Sequence, residues 1–396
     1  MEFKKIQLKE LIEFANTGAD AIQRAPIVEY DTGIKCIRIG DISNDRKYDE
    51  WGFTEITEVN INKYKLDIGD ILIARTGSTI GISKIIKNEV NSVYNNGLIK
   101  VRVNKEKCDS YYFYYILQSK EFIDYIQGIA FGTTGQPNMK INDFLKFKTN
   151  DIPIDKQNKI VKILAKIDEK IDINNQINDN LFKFAINYLN NKKEDIEVPV
   201  SKFDKIQGGY AFKSKDLIDN KTENRVIKIK NLRSELNADV TNSQFVEDEV
   251  ANNIDSKFKL NKGDVTIAMT GAELGKTGFL YGFDKYYLNQ RVGVIRGKNK
   301  EGDFYLKLLF LSDEFQTMLN SKGYGSAQPN ISTSDIENIV VNDLTEENLK
   351  DIYERLNAIY YRIISNCEEN LNLEQLRDTL LPKLMNGEIN LDKIEI

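Results

Sequence analysis

The feature that most constrains the fold of this chain is an internal duplication. Three segments recur in the same order at offsets of 226 − 36 = 190, 259 − 65 = 194 and 328 − 136 = 192 residues. They are residues 36–42 and 226–232, residues 65–77 and 259–271, and residues 136–138 and 328–330. A unit of about half the chain is too long for a solenoid repeat, so the sequence predicts two similar domains. The length of 396 residues is sufficient for them.

Each copy begins with a part that has the composition of a mixed domain. Short runs of β-branched and aromatic residues, such as 70–74 and 98–103, are bounded by Gly, Asn and Asp and predict strands. The aromatic run 111–117 then leads into residues 118–126, which we predict to form a short amphipathic helix. We therefore predict an α+β domain over residues 1–150, and the repeat predicts the same fold for residues 198–342.

The second part of each copy is a predicted long helix. Neither Gly nor Pro occurs between Pro153 and Pro199, or between Pro329 and Pro382. Asp155 and Thr345 are the predicted N-caps. Apolar residues step by four and three in both segments, at Ile160, Leu164, Ile167 and Ile171, and again at Ile352, Leu356, Ile359 and Ile363. This heptad seam predicts that residues 151–197 and 343–396 carry two helices that pack as a coiled coil.

Asparagine continues this stepping in both helices. Asn174 and Asn178 follow the first apolar run, and Asn366 and Asn370 lie at the matching positions 192 residues later. One interpretation is a solvated surface, because the chain is rich in Asn. The other is a place in the seam, where a buried Asn fixes register because misaligned helices would leave its amide unpaired. The matched positions favour a register role.

The content of titratable residues excludes several classes of enzyme. The chain contains no histidine, which removes Ser-His and Cys-His nucleophile pairs, His-ligated zinc and His as a general base. Its cysteines, at positions 36, 108 and 367, are too widely spaced for a disulfide framework or a zinc site and are typical of reduced thiols in a cytoplasm. No apolar run has the length of a membrane span or a signal-peptide core, so we expect a cytoplasmic protein.

The distribution of charge matters more than the net charge of −5. Residues 1–150 give 21 − 20 = +1, residues 151–197 give 8 − 9 = −1, and residues 198–342 give 20 − 19 = +1. The acidic excess lies in residues 343–396, which give 6 − 12 = −6. The two mixed domains are therefore nearly neutral, which leaves room for a basic groove on each without requiring one.

Two enzyme interpretations have little support from motifs. Residues 271–277 resemble a phosphate-binding P-loop, but they have three residues between the glycines where that loop needs four. The repeat partner, residues 77–81, has no Lys-Thr after its second glycine. No Asn/Asp-Pro-Pro-Tyr/Phe stretch is present to grip a flipped adenine, which disfavours a methyltransferase. A nuclease built from scattered Asp and Glu is not excluded by spacing, although nothing clusters.

The chain resembles the specificity subunit of type I restriction–modification systems over nearly its whole length. Residues 69–77 and 263–271 look like that family's central strand and loop. Residues 136–138 with 152–157 look like its passage from recognition domain to helix, and residues 376–389 are the most specific match. The second passage, residues 340–344, departs from the pattern because it lacks the prolines.

The resemblance implies a function and a set of partners. It implies a chain that is not itself a catalyst, with two target recognition domains that each read one half of a split double-stranded DNA site. It implies that the two helices pack antiparallel, separate the half-sites and hold two methyltransferase (modification) subunits, with restriction–translocation subunits in the full complex. S-adenosylmethionine, ATP and Mg²⁺ are expected on partner subunits, and no cofactor or metal on this chain. The alternative is a coiled-coil scaffold with two adhesive domains and no DNA role, which differs only in the loops.

Candidate DNA contacts lie in loops beside glycines, where the backbone can approach DNA closely. Arg pairs with guanine and Asn or Gln with adenine in the major groove, whereas Lys100 and Arg102 alternate on one strand and are candidate phosphate contacts or solvated residues. For Asn95, capping a turn is a strong competitor. In the first domain the candidates are Arg75, Thr76, Ser78, Asn95, Asn96, Lys100, Arg102, Thr133, Thr134 and Gln136. In the second they are Thr270, Lys276, Asn289, Gln290, Arg291 and Gln328.

Overall fold

The computed structural model divides into two compact units, each containing one of the two mixed domains and part of both long helices. The first unit comprises Met1–Asp168 and Glu374–Ile396, and the second comprises Glu169–Leu373. The structure describes residues 3–20, 23–44, 46–130, 138–232, 236–297, 299–323 and 330–394.

Two four-stranded sheets and a two-stranded pair organise the first unit. Its strands are β1 Lys5–Gln7, β2 Ile12–Thr17, β3 Ile27–Val28, β4 Lys35–Ile37, β5 Phe53–Thr54, β6 Ile71–Ala74, β7 Ser83–Ile85, β8 Ser92–Tyr94, β9 Leu98–Val103 and β10 Lys148–Asn150. The order β2-β9-β6-β7 forms an antiparallel sheet, and the order β3-β5-β4-β8 forms a mixed sheet in which β4 and β8 run parallel. Strands β1 and β10 pair separately.

The helices of the first unit divide between its two sheets. They are α1 Ile39–Ser43, α2 Glu58–Tyr64, α3 Ser110–Gln118, α4 Lys120–Ala130, α5 Ile141–Phe144 and α6 Ile154–Asn190, of which α6 continues into the second unit. Helices α3 to α6 share a core with the antiparallel sheet, and α1 and α2 pack with the mixed sheet. The aromatic run 111–117, predicted only to lead into a helix, is itself helical. Its N-cap is Asp109, whose carboxylate accepts hydrogen bonds from the amides of Tyr111 and Tyr112. The predicted helix 118–126 is therefore corrected to two helices that meet at Ser119, whose backbone is extended.

The second unit repeats this topology. Its strands are β11 Glu197–Pro199, β12 Asp204–Gly208, β13 Arg225–Ile227, β14 Gln244–Phe245, β15 Lys259–Leu260, β16 Val265–Ala268, β17 Thr277–Phe279, β18 Tyr286–Leu288, β19 Val292–Gly297 and β20 Val340–Asn342. The sheets have the orders β12-β19-β16-β17 and β14-β13-β18-β15, with β13 and β18 parallel, and β11 pairs with β20. The helices are α7 Asp248–Asn252, α8 Lys300–Phe310, α9 Asp313–Gly323, α10 Thr333–Glu337 and α11 Glu346–Met385. The duplication therefore holds in three dimensions, and the α+β prediction is confirmed.

The ends of the two long helices follow local capping chemistry. The hydroxyl of Thr345 accepts a hydrogen bond from the amide of Asn348 at 3.1 Å, which confirms it as the N-cap of α11. The prediction for Asp155 is wrong, because α6 already begins at Ile154 and the carbonyl of Pro153 accepts the amide of Gln157 at 3.0 Å. Asp155 lies instead in the first turn, where its charge suits the helix dipole.

The apolar seam of the two helices merges with the core of each unit. In the first unit Ile160 and Leu164 of α6 are fully buried in one cluster with Leu381 and Leu384 of α11. In the second unit Ile352 and Leu356 of α11 share a cluster with Ala185 of α6 and the strands of that unit. Each end of the helix pair is therefore part of a domain core. Within the described residues, no helix is long and apolar enough to cross a membrane.

The asparagines lie between the helices in the second unit. Asn174, Asn178, Asn366 and Asn370 are at most 7% exposed. The amide of Asn174 donates to Oδ1 of Asn370 at 2.8 Å, and the amide of Asn366 donates to Oδ1 of Asn178 at 2.8 Å. The partner number falls as the helix number rises, so the helices are antiparallel. Each buried amide is paired only in this alignment, which supports a role in register.

We expect Asn178→Ala to destabilise the protein, because it leaves the buried amide of Asn366 without its acceptor. The predicted loss is about 1–3 kcal/mol, measured by urea unfolding. Replacing both Asn178 and Asn366 by Leu should cost less than the sum of the two single Leu variants, since no unpaired amide remains. Strictly additive losses in this double-mutant cycle would show that the two amides are not coupled.

Candidate nucleic-acid interface

A loop whose conformation depends on two glycines follows β6, an inner strand of the antiparallel sheet in the first unit. Residues 75–82 connect β6 to β7, and the amide of Gly81 donates back to the carbonyl of Ala74 at 2.9 Å. Gly77 and Gly81 have φ angles of +83° and +92°, which other residues adopt only with strain. The loop therefore presents Arg75, Thr76 and Ser78 at the end of β6 in a backbone conformation fixed by its glycines.

A tight turn before β9 lies directly beside this loop. The amide of Arg75 donates to the carbonyl of Gly97 at 3.0 Å. Within the turn, Oδ1 of Asn95 accepts the amide of Gly97 at 2.8 Å, so the Asn95 side chain closes the turn. Asn96 at its tip is exposed. The arrangement leaves Asn96 as the turn side chain that is free to reach a ligand.

The residues after Pro137 return to the same place. Thr76 and Asn138 form an isolated antiparallel bridge, and the amide of Met139 donates to the carbonyl of Arg75 at 2.8 Å. The Arg75 guanidinium donates from Nη2 to Oδ1 of Asn138 at 3.0 Å. Asn138 thereby positions Arg75, a role that the Gln-Pro-Asn repeat alone did not reveal.

The second unit builds the same loops with different side chains. The amide of Gly275 donates to the carbonyl of Ala268 at 2.9 Å, and the amide of Met269 donates to the carbonyl of Arg291 at 3.0 Å. Thr270 bridges Asn330, and Gly271 and Gly275 have φ angles of +80° and +83°. At this shared backbone, Met269 stands where the first unit has Arg75, and Arg291 where it has Gly97.

The predicted residues of the second unit differ in accessibility. Gln290 and Arg291 are exposed, and no described residue forms a hydrogen bond or ion pair with the Arg291 side chain. Asn289 is 9% exposed, in the turn position of Asn95. Lys276 forms an ion pair with Glu273 of its own loop. Gln290 and Arg291 are thus the side chains most open to a ligand.

Two buried polar atoms in these loops have no hydrogen-bond partner in the part of the chain that the structure describes. They are Nε of Arg75 and Oγ1 of Thr270. Buried polar atoms in native proteins are almost always paired, and an exception requires an explanation such as an absent ligand. The two residues are not equivalent, because Thr270 matches Thr76 and Met269 matches Arg75, but they lie at adjacent positions of the same loop in the two units. Both loops therefore carry a buried polar atom that a polar ligand could pair.

Two predicted contacts lie outside the loop cluster. Lys100 is 4% exposed, its Nζ donates to the carbonyl of Lys65 at 2.8 Å, and it lies 3.6 Å from a carboxylate oxygen of Asp70. Arg102 makes two hydrogen bonds of 2.7 Å to the same buried carboxylate. Neither the phosphate contact nor the solvated residue proposed for Lys100 fits this burial. Both cations are committed to Asp70 inside the domain, which holds β6 against β9.

Four predicted contacts lie outside the described residues: Thr133, Thr134, Gln136 and Gln328. Sequence reasoning missed two cations next to these loop clusters. They are Arg38, which follows β4, and Lys228, which follows β13. The signal was present, because segments 36–42 and 226–232 were recognised as a repeat and both carry a cation at the third position.

The geometry of residues 271–277 does not suit a bound nucleotide phosphate. A P-loop points free backbone amides at the phosphate. Here the amides of Leu274, Gly275 and Lys276 donate to the carbonyls of Gly271, Ala268 and Glu273. No group of His, Cys, Asp or Glu among the described residues has the arrangement of a metal site.

A duplicated α+β domain with polar strand-end loops, carried on two paired helices, defines a two-domain recognition protein. The family model of the type I restriction modification DNA specificity domain matches residues 1–183 and again residues 193–375. The chain belongs to this family and is a type I restriction–modification specificity subunit with two recognition domains.

Relatives and solved structures agree with this assignment. The chain is 23% identical to the type I restriction enzyme MjaIX specificity subunit of Methanocaldococcus jannaschii, with 99% of this chain and 95% of the relative covered. It is 22% identical to the HindI specificity subunit of Haemophilus influenzae, with 81% and 86% covered. The crystal structure of the type I S subunit from M. genitalium shares the fold, with a TM-score of 0.51, 16% identity, and 97% and 96% of the two chains covered.

Proposed function

We propose that each recognition domain reads one half of a bipartite DNA site through its strand-end loops. We further propose that the helices set the spacing of the halves and dock two methyltransferase subunits. The observation that carries the proposal is the pair of equivalent loop clusters, whose backbone is the same and whose exposed side chains differ. If the two half-sites differ in sequence, the two domains need the same loop backbone with different base-contacting side chains, which are called readers below.

The proposed readers are the accessible side chains of each cluster. In the first domain they are Arg75, Thr76, Ser78 and Asn96, and in the second Gln290 and Arg291. Arg suits guanine, and Asn or Gln suits adenine, through paired hydrogen bonds in the major groove. Thr133, Thr134, Gln136 and Gln328 remain proposed on sequence grounds. Asn95 and Asn289 shape the turns, Thr270 lines its loop, and Lys276 would have to leave Glu273 to reach DNA.

The chemistry of the complex is assigned to partner subunits. Methylation of adenine with S-adenosylmethionine, and cleavage that uses ATP and Mg²⁺, would be carried out by the modification and restriction–translocation subunits. This chain would supply sequence recognition, in the cytoplasm where host DNA is found. The alternative of an adhesive scaffold without a DNA role is not favoured, because the matched family is defined by DNA specificity.

The test is to identify the DNA sequence that the complex methylates. The full chain would be expressed with its methyltransferase subunit in a host that lacks other adenine methylation, and the modified bases would be sequenced. The proposal predicts two short defined sequences separated by a fixed number of undefined base pairs. A single continuous site, or methylation without sequence preference, would contradict it.

We expect the subunit alone to bind DNA weakly, because each recognition domain has a net charge of only +1 (21 − 20 and 20 − 19). Few phosphate contacts give a shallow dependence of affinity on salt, since the slope is about −0.9 per neutralised phosphate. Mobility-shift titrations at several salt concentrations measure this slope, and addition of the methyltransferase should restore specific binding. Tight binding by the lone subunit with a steep slope would contradict the expectation.

A further inference from the structure

Two equivalent cations lie at the carboxyl ends of the parallel strands, outside the residues assigned above. Arg38 follows β4 and Lys228 follows β13. The carbonyl of the preceding residue accepts the turn amide in both units, from Asn95 to Ile37 at 3.0 Å and from Asn289 to Ile227 at 3.1 Å. Each cation is therefore next in sequence to a residue bonded to the turn that carries the proposed readers.

A buried side chain holds the backbone of each cation. The amide of Arg38 donates to Oδ2 of Asp41 at 2.8 Å, and the amide of Lys228 donates to Oδ1 of Asn231 at 2.9 Å. Asp41 is 4% exposed and Asn231 is fully buried. The charge of Asp41 is met by Arg46, 3.2 Å away. Both units thus keep the same positioning device at this point.

Neither cation forms an ion pair among the described residues, and the carboxylate of Asp219 reaches Lys228 only through Gln244, to which it is bonded at 3.0 Å. The Arg38 guanidinium makes a long contact of 3.4 Å from Nη2 to the carbonyl of Ala25, and its Nε is buried without a hydrogen-bond partner. Nζ of Lys228 donates to the neutral Gln244 at 2.8 Å. Burial and the neighbouring Lys230 lower the pKa of Lys228, and the charge of Asp219 offsets this only in part, so an anion bound there would relieve an unfavourable position for charge.

The kind of residue shared by the two units indicates what it contacts. Arg and Lys have the same charge but different hydrogen-bonding geometry, since only Arg has a planar fork. A contact to a base edge depends on the hydrogen-bonding geometry of the side chain, whereas a contact to a phosphate depends mainly on its positive charge. Two domains that read different half-sites have only the DNA backbone in common. The charge is kept at this position, whereas the proposed readers are not: Met269 replaces the reader Arg75, and the reader Arg291 stands where the first domain has Gly97.

We propose that Arg38 and Lys228 are phosphate contacts that anchor the first and second recognition domains on the DNA backbone beside their base-reading turns. This inference rests on the proposed DNA-reading function. It separates each interface into a charged anchor common to both domains and readers that differ between them.

The experiment measures how tightly the full complex binds a DNA duplex that contains the sequence the complex methylates. It also measures binding to a panel of duplexes in each of which one base pair of that sequence is changed. The variants are Arg38→Gln and Lys228→Gln, which remove the charge and keep an amide donor, and Arg38→Lys, which keeps the charge. Matched controls are Lys105→Gln and Lys205→Gln. Both lysines are exposed and lie away from the turns: Lys105 follows the far end of β9, and Lys205 lies in β12, paired with Arg296 near the far end of β19.

Each glutamine variant should lose affinity roughly tenfold at low salt for every duplex in the panel, the size of one charge-assisted hydrogen bond. The slope of log affinity against log salt should become shallower by about 0.9. Arg38→Lys and both controls should stay within about threefold of the wild type, because a point charge suffices for a phosphate.

Other outcomes overturn the assignment in different ways. A loss confined to one base position would make the residue a reader, and affinities equal to wild type would remove it from the interface. If Arg38→Gln lowers the melting temperature of the complex, Lys228→Gln provides the same test in the other domain. If the wild-type complex itself has no sequence preference, the proposed function fails, and this result is distinct from failure of the anchor alone.

Discussion

A chain shortened to residues 1–196 should dimerise and direct methylation of an inverted repeat of the first half-site. It contains one recognition domain and all of α6, whose Ala185 and Leu189 are buried in the core of the second unit in the intact chain and would be exposed in a monomer, at a cost in water. A second copy offers the matching seam, with Asn174 and Asn178 in the places of Asn366 and Asn370. Closed twofold symmetry then places identical recognition domains at the two ends of the helix pair.

The cores indicate how well such a dimer would pack. Leu381 of α11 is buried against the first unit, and its counterpart 381 − 192 = 189 is Leu189, which the second copy supplies. Leu384 and Leu391 are also buried there, but position 192 holds Lys and the shortened chain ends before position 199. We therefore expect the dimer to melt at a lower temperature than the intact chain, although it remains folded. Mass measurement and sequencing of methylated sites test this. A soluble monomer, or a dimer that marks an asymmetric site, would contradict the equivalence of the two copies.

Lengthening both helices by one heptad should widen the gap between the half-sites by about three base pairs. Seven helical residues add about 10 Å at 1.5 Å each, and base pairs rise about 3.4 Å. The predicted helix from Ile160 to Tyr188 is about 40 Å long, close to the ~34–36 Å between half-sites one DNA turn apart. Duplicating residues 172–178 and 366–372 keeps the seam in phase and repeats the asparagine pairs.

The readout is the spacer found by sequencing the methylated sites of the lengthened complex. A heptad inserted in α6 alone is the matched control, because it places the asparagines of α6 opposite the wrong residues of α11. That variant should lose stability and activity without acquiring a new spacer. An unchanged spacer in the doubly lengthened protein would show that the helices do not set the separation.

Periodic features of the sequence predicted the framework well. The seam residues Ile160, Leu164, Ile352 and Leu356 are buried where the heptad pattern placed them. Such patterns are readable because one buried face repeats with the period of the helix. The N-cap of α6 was misplaced by two residues, because Asp is favoured both at the N-cap and in the first turn, and Asp155 lies in the first turn of a helix that begins at Ile154.

The candidate site was only partly predictable, because loop residues serve either the fold or a ligand and look alike in sequence. Arg102 and Arg75 are both arginines at the edge of a strand, yet Arg102 is held by the buried carboxylate of Asp70 and Arg75 lies in the exposed loop cluster. That distinction depends on a partner 32 residues away. Arg38 was missed because its neighbour Asn95 is brought to it by parallel pairing of β4 with β8, which no local pattern encodes.

The central claim, that each domain reads its own half of the site, is tested most directly by sequencing methylated bases with one reader removed at a time. Arg75→Ala should relax the sequence at one position of one half-site, with a loss of roughly 1–3 kcal/mol in discrimination, and leave the other half unchanged. Arg291→Ala should relax a position in the opposite half only. Relaxation of the same half by both variants, or of both halves by either one, would contradict the account.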